Sequence, residues 1–410
     1  MKFGGLLTAV LLLAALGGAV YWSNHKHAAD ALKTPPDTTI RLVNVPEDQV
    51  REVRLIHANT PPVVLARDGK TWRITQPENL AADQDTVSGL LAAITTLSAD
   101  SLVEEKAANL HSFGLDAPAL QVELALKNGK TDTVRFGADA PANTGEYVSL
   151  ADAKVYIVPS STRSSLDKTV ADLRDKRLLT FDPEKLARIR LVAGATAPIE
   201  FGKNAQGDWQ ILQPKPLRAD GGQVDELVRK LKEARLTAPA KAAGVKVATA
   251  QVTDASGTQT LEVRKDAAGK FYATSSVVSG VYSIADDLGL SKKLDDFRNK
   301  KVFDFGFSDP VKIETGTFTV EKKGEKWISN GKEKNAGAVQ SLIDKLRDLS
   351  ATAFLPKATG TPVMTLSVTT GKRVENVAIQ STSATRDSEV YQLDPKNVTD
   401  IQNAVAAVQR

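Results

Sequence analysis

Apolar and polar positions alternate in short runs near the start of the chain. Val53-Arg54-Leu55-Ile56, Val63 to Leu65 and Trp72 to Ile74 each read as half-buried strands, with a Gly-containing turn at Asp68-Gly69 between the last two. Gln76-Pro77 then ends the sheet segment, because proline offers no N–H to a ladder. The period changes next. Val87, Leu90, Leu91, Ile94 and Leu97 stand at helical spacing on one face, and Asp83 precedes them as an N-cap or first-turn carboxylate. A second half-unit returns to alternation, with strands around Leu120 to Leu126, Thr133 to Phe136, Glu146 to Leu150 and Val155 to Val158, and ends in another helix.

The same pattern recurs twice. Beyond Trp22, the three remaining tryptophans fall in matching contexts at Gly69-Lys70-Thr71-Trp72, Gly207-Asp208-Trp209 and Gly324-Glu325-Lys326-Trp327. A constant offset of 137 carries Trp72, Ile74, Gln76-Pro77, Leu80 and Ala82-Asp83 onto Trp209, Ile211, Gln213-Pro214, Leu217 and Ala219-Asp220. The helical stripe returns as Val224, Leu227, Val228, Leu231 and as Val339, Leu342, Ile343, Leu346, Leu349. Val155-Tyr156 returns as Val281-Tyr282 and Val390-Tyr391. Two copies close on similar basic runs, Arg174 to Arg177 and Arg298 to Lys301, before Phe181-Asp182-Pro183 and Phe307-Ser308-Asp309-Pro310. Three tandem α+β copies follow from this, each of antiparallel strands with two helices, over residues 46–182, 183–308 and 309–410.

From Phe3 to Trp22 the chain carries no charge, a stretch of 20 residues. As a helix it would be about 30 Å long and suit a hydrocarbon core. Residues 1–28 therefore read as an uncleaved signal-anchor or transmembrane helix, and 29–45 as a linker with prolines at Pro35 and Pro36. A cleaved signal peptide is the other reading, given the small-residue patterns Ala15-Leu16-Gly17 and Gly17-Gly18-Ala19. The expected location is the bacterial cytoplasmic membrane, crossed once, with the C-terminal domains in the periplasm.

The 53 Lys and Arg nearly balance the 49 Asp and Glu over 410 residues, a net charge of +4, so nucleic acid is not expected as a partner. There is no cysteine, which excludes thiolate nucleophiles, disulfides and cysteine zinc sites. Gly69-Lys70-Thr71 and Gly129-Lys130-Thr131 end like phosphate loops, but Val64 and Leu124 stand where the first glycine belongs, so both read as hairpin turns. Asp304-Phe305-Gly306 lacks the other parts of a kinase site. His25 and His27 read as solvated, and His57 and His111 have no counterparts in the other copies. The pairs Glu104-Glu105, Asp286-Asp287 and Asp295-Asp296 read as solvated surface, since sequence neighbours do not share a face. The basic runs at Arg174 and Arg298 read as cations at helix C-termini, with an anion or partner patch as the alternative. No catalytic residue, cofactor or metal ligand is assigned.

The order of an N-terminal anchor, a Gly-Lys-x-Trp-x-Ile-x-x-Pro segment, an Ala-Asp-entered helix, Phe113-Gly114-Leu115-Asp116-x-Pro118 and Leu173 to Leu179 resembles the domain of unknown function family 4340. The resemblance spans essentially the whole chain and implies a membrane-anchored bacterial envelope protein, often encoded near ABC transporters of the gliding-motility type. It implies no enzyme activity. The expected function is a non-enzymatic, membrane-tethered interaction module, an accessory or scaffold for an envelope or ABC-transporter complex, presenting surfaces and sheet edges to a protein partner. The alternative is an envelope ligand-binding protein, for a glycan or peptide, with a cleft between copies.

Overall fold

The structure is a computed structural model that describes residues 40–141, 144–241 and 244–410. It is built from three nine-stranded sheets with one strand order and wholly antiparallel pairing. In the first, the order across the sheet is Leu80–Ala81, Thr71–Gln76, Val63–Asp68, Val50–His57, Leu120–Leu126, Thr131–Asp139, Glu146–Ser149, Val155–Val158 and Ser101–Glu104. The first half-unit thus meanders from the centre to one edge. The chain then crosses by the helix Gln84–Thr95, forms the opposite edge, and the second half-unit meanders out from a central strand paired to Val50–His57.

Register and burial explain why these residues fold this way. Leu55 lies opposite Val63 on one side and Val122 on the other, and all three face the core. Ile189 and Ile313 hold similar central positions, against Phe201 and Val252 in the second sheet and Val320 and Val368 in the third. Each long helix buries the stripe foreseen for it: Val87, Leu90, Leu91 and Ile94; Val224, Leu227, Val228 and Leu231; Val339, Leu342, Ile343 and Leu346. Burial of such side chains stabilises by roughly 1.5–3 kcal/mol each, which a helix of this length needs because it is marginal alone. The helices start where a side chain satisfies a free N–H: Asp83 accepts from Thr86 at 2.9 Å, Asp220 from Gln223 at 3.1 Å and Asn335 from Ala338 at 3.0 Å. Leu97 and Leu349 lie just past the helix ends but remain buried.

Two expectations need correction. The repeats are mainly β-sheet rather than α+β with two helices each. The second helix is two short pieces in the first repeat, Ser160–Leu166 and Val170–Leu173, and a full helix, Pro395–Gln409, only in the third. In the second repeat a turn around Gly289 replaces it, leaving one 3-10 turn at Leu294–Asp296 and two buried side chains, Leu290 and Phe297. An N-terminal transmembrane helix is also not supported: among the described residues no helix is long and apolar enough to cross a membrane. The physical reason is their amphipathic make-up, as in Gly221–Glu233, where Glu226, Arg229 and Lys230 share the helix with the apolar stripe. The stretch from Phe3 to Trp22, the linker up to residue 39, and His25 and His27 lie outside the described residues.

The chain divides into two compact units, Met1–Asp175 and Lys176–Arg410. The second unit holds two repeats, with cores running from Leu178 to Phe297 and from Val302 to Val408. The basic runs are extended rather than helical. Within the first unit, Arg174 bridges Ala82, and Asp175 N–H donates to Ala81 O at 2.8 Å. Within the second, Arg298 bridges Ala219 in the same way, Asn299 N–H donates to Arg218 O at 3.0 Å, and Lys301 then bridges Ser350 of the following repeat. Arg174 caps the C-terminus of Val170–Leu173, as its spacing suggested, and both runs add backbone pairing to the neighbouring segments.

Candidate functional site

A cluster of buried polar side chains lies where the second and third repeats meet, inside the second unit. Its cations come from the edge strand Leu217–Arg218 and from the basic run. Its anions come from the third sheet, on the strands Arg373–Ile379 and Glu389–Gln392, and from Asp304 just past the basic run. Glu389, 5 % exposed, receives a hydrogen bond from Arg298 Nη2 at 3.0 Å and another from Tyr391 Oη at 2.8 Å, and Arg218 Nε stands 3.5 Å from it. Arg218 Nη2 donates to Tyr391 Oη at 2.8 Å and to the carbonyl of Lys301. Asp304 sits 3.4 Å from Arg218 Nη1, and Asn299 Nδ2 donates to it at 3.2 Å. The guanidinium of Arg298 also stacks 3.5 Å over the ring of Phe354.

A second ion pair continues the cluster. Arg386 donates to Glu375 at 3.0 Å and to Val302 O at 2.8 Å, while Asp304 N–H donates to the same carboxylate oxygen at 2.7 Å. Burial pushes the Tyr391 phenol up to about 12, with Arg218 pulling the other way and Glu389 reinforcing burial. Burial also lowers the pKa of Arg386, with a further contribution from Arg218. At Arg218 burial opposes the charge, but Tyr391, Asp304 and Glu389 outweigh it and raise the pKa.

Beside this cluster opens a cleft of ≈ 960 Å³ between the second and third repeats, lined by Trp209, Asp225, Arg218, Asp304, Lys372 and Arg373 among others. Trp209 is 8 % exposed; its indole N–H donates to Asp225 on the long helix at 2.7 Å and Lys203 Nζ lies 5.0 Å from its ring. Trp72 and Trp327 are buried in the cores of their own repeats, so the three tryptophans do not share one groove. Trp72 is tied to its helix through Gln84, which accepts from its N–H at 2.8 Å and donates to its carbonyl at 3.0 Å.

The histidines are apart from this cluster in sequence and in bonding. His57 Nε2 is 2.9 Å from Asp167 Oδ1, and His111 Nδ1 is 2.9 Å from Asp116 Oδ2, a hydrogen bond that holds the Asp116 carboxyl below its usual range. The adjacent carboxylates serve turns and pairs: Asp287 accepts from Gly289 N–H at 2.9 Å, Asp295 pairs with Arg298 at 3.1 Å, and Glu105 with Lys154 at 3.2 Å. Asp304-Phe305-Gly306 divides between the ionic cluster and the core. Among the described residues, no group of three or more His, Cys, Asp or Glu side chains could hold a metal ion.

A family model described as Domain of unknown function (DUF4340) matches the chain twice, over residues 72–241 and 209–367. The chain belongs to this family. The two DUF4340 matches begin at Trp72 and Trp209, and 209 − 72 = 137 is the offset of the internal repeat. No curated protein and no solved structure matches the chain.

Sequence reading named Arg298, Asp304 and Tyr391 from this cluster, each for another reason, but not Arg218, Glu389, Glu375 or Arg386. A signal was present. Arg218 stands where the first copy has Ala81, and Glu389, two residues before Tyr391, stands where the second copy has Gly280. Glu375 accepts from Asp304 N–H as Gln259 accepts from Thr180 N–H at 2.8 Å, so a neutral amide in one repeat is a carboxylate in the next. At Arg218, Glu389 and Glu375 a charge thus stands where one sister copy has an uncharged residue.

Proposed function

We propose that this DUF4340 chain is a non-enzymatic interaction module, an accessory or scaffold protein of a bacterial envelope assembly at the outer face of the cytoplasmic membrane, with ABC-transporter subunits as its protein partners. The observation that supports this most is Phe307. An offset of 124 carries Thr180 and Phe181 onto Asp304 and Phe305, and both phenylalanines are buried. Asp182-Pro183 matches Asp309-Pro310 only at 127, so Gly306-Phe307-Ser308 is a three-residue insertion in the third repeat. Phe307 at its centre is 100 % exposed.

The loop is held rather than loose. Arg347 donates to Gly306 O at 2.8 Å and to Asp309 Oδ1 at 2.7 Å, and its guanidinium lies 5.5 Å from the Phe305 ring. An aromatic ring presented on a fixed loop loses little freedom when a partner covers it, so most of the energy of its burial is left for binding. The sheet edges contribute less than the sequence suggested, since their strands are only two to four residues long. In-cell crosslinking of the full chain followed by partner identification tests the reading. Transporter subunits recovered with the native chain and lost with Phe307→Asp support it; a reproducible lack of any protein partner sinks it.

One observation favours the second reading. The cleft beside Trp209 has the volume of a ligand pocket and places an aromatic edge next to arginine and lysine side chains, as a site for an envelope glycan or peptide would. Titration with a muropeptide, read by tryptophan fluorescence and repeated with Asp225→Asn and Lys372→Glu, separates the two. Saturable binding weakened by these changes supports the ligand-binding reading.

A further inference from the structure

The second repeat contains an apolar slot of ≈ 470 Å³ whose walls include Ala193, Ile199, Val247 and Leu294. Comparison with the first repeat shows how it arises. Leu191 pairs with Ala250 as Leu55 pairs with Val122, so Ala193 occupies the place of His57. Past the sheet, Lys293 N–H donates to Asp296 at 2.8 Å as Thr169 N–H donates to Asp172 at 2.9 Å, which fixes an offset of 124 there. At that offset Leu290 takes the place of Leu166, both fully buried, and Ser291 takes the place of Asp167.

His57 and Asp167 are the two side chains that bond to each other at 2.9 Å in the first repeat. In the second repeat both are cut back, to alanine and serine, and both replacements line the slot. The same segment brings Lys292 and Lys293 to it, and no acidic side chain is among the residues that line it. Lys292 donates to Gln223 at 2.8 Å, whereas Lys293 is exposed. Of the nearby carboxylates, Asp296 caps Lys293 N–H and Asp295 pairs with Arg298.

We propose that this slot is a binding site for a single-chain aliphatic anion, the hydrocarbon chain lying against Ala193, Ile199, Val247 and Leu294 and the head group meeting Lys293 and Lys292. An apolar floor with cations and no anions at its lining suits that chemistry: chain burial supplies affinity and the ammonium groups select the charged head. The inference is independent of the role assigned to Phe307 and of the cleft beside Trp209.

Calorimetric titration of the full chain with hexanoate, octanoate, decanoate, decyl phosphate and neutral decanol tests it. Affinity is expected to rise about fourfold per added methylene until the slot is filled. Ala193→His with Ser291→Asp, which restores the pair of the first repeat, is expected to weaken decanoate at least tenfold while the melting curve stays in place; Ala193→Leu serves if the double variant does not fold. Lys293→Gln is expected to weaken the anions but not decanol. Whichever of decanoate and decyl phosphate binds more tightly names the head group, and either result supports the site. No saturable binding at millimolar concentration, no dependence on chain length, or equal affinity in the filled variants overturns it.

Discussion

Glu389 is a buried carboxylate between two arginines drawn from the preceding repeat. Its removal takes a buried counter-charge from both arginines at once, leaving Arg218 with Asp304 and Arg298 with the exposed Asp295. Breaking such a pair typically costs about 3–5 kcal/mol, more than the pair itself contributes relative to an apolar substitute. Glu389→Ala is therefore expected to lower stability by that amount in urea unfolding of the full chain, and a change under 1 kcal/mol would refute the account of the cluster. Tyr391 makes the same site sensitive to alkali. Its folded pKa of about 12 exceeds the unfolded value near 10, so the neutral phenol's contribution is intact below pH 10 and is lost as pH rises towards 12. Native chain is expected to lose stability steeply over that window, and Tyr391→Phe to show a shallower decline.

Helices and strands were the parts of this molecule most legible in its sequence. The stripe from Val87 to Ile94 and its two counterparts lie where their spacing put them, because four buried positions one helical face apart leave a chain segment few other ways to hide them. Asp220→Ala is expected to cost about 1 kcal/mol through loss of the cap on Gln223 N–H, and Leu227→Ala about 2–5 kcal/mol through the cavity it leaves. Trp72→Ala should cost about 3–5 kcal/mol, read as a lowered melting temperature. What escaped notice has physical reasons. Two-residue edge strands such as Leu80–Ala81 and Lys332–Glu333 are too short to show alternation. The second helix was inferred for every copy, although Gly289 and the paired aspartates at 286 and 287 favour a turn in the second. The charge cluster joins residues up to 173 positions apart, a distance over which no local pattern speaks.

Within the second unit, two repeats share both a backbone connector and a buried ionic cluster, so they are expected to open together. Hydrogen exchange should report this: Glu389→Ala is expected to speed exchange of slow amides in the Arg188–Ala193 strand as well as in Met364–Thr370. Faster exchange confined to the third repeat would show that the junction does not couple them. The way each sheet finishes has a separate consequence for how the molecule behaves in company. Every sheet closes on strands of two to four residues, such as Pro239–Ala240 with its missing amide hydrogen and Lys332–Glu333 with its charges. A passing chain finds few backbone groups to zip on at such short edges, which leaves Ser101–Glu104, with Leu102 and Val103 exposed, as the edge where copies in a crowd are expected to stick first.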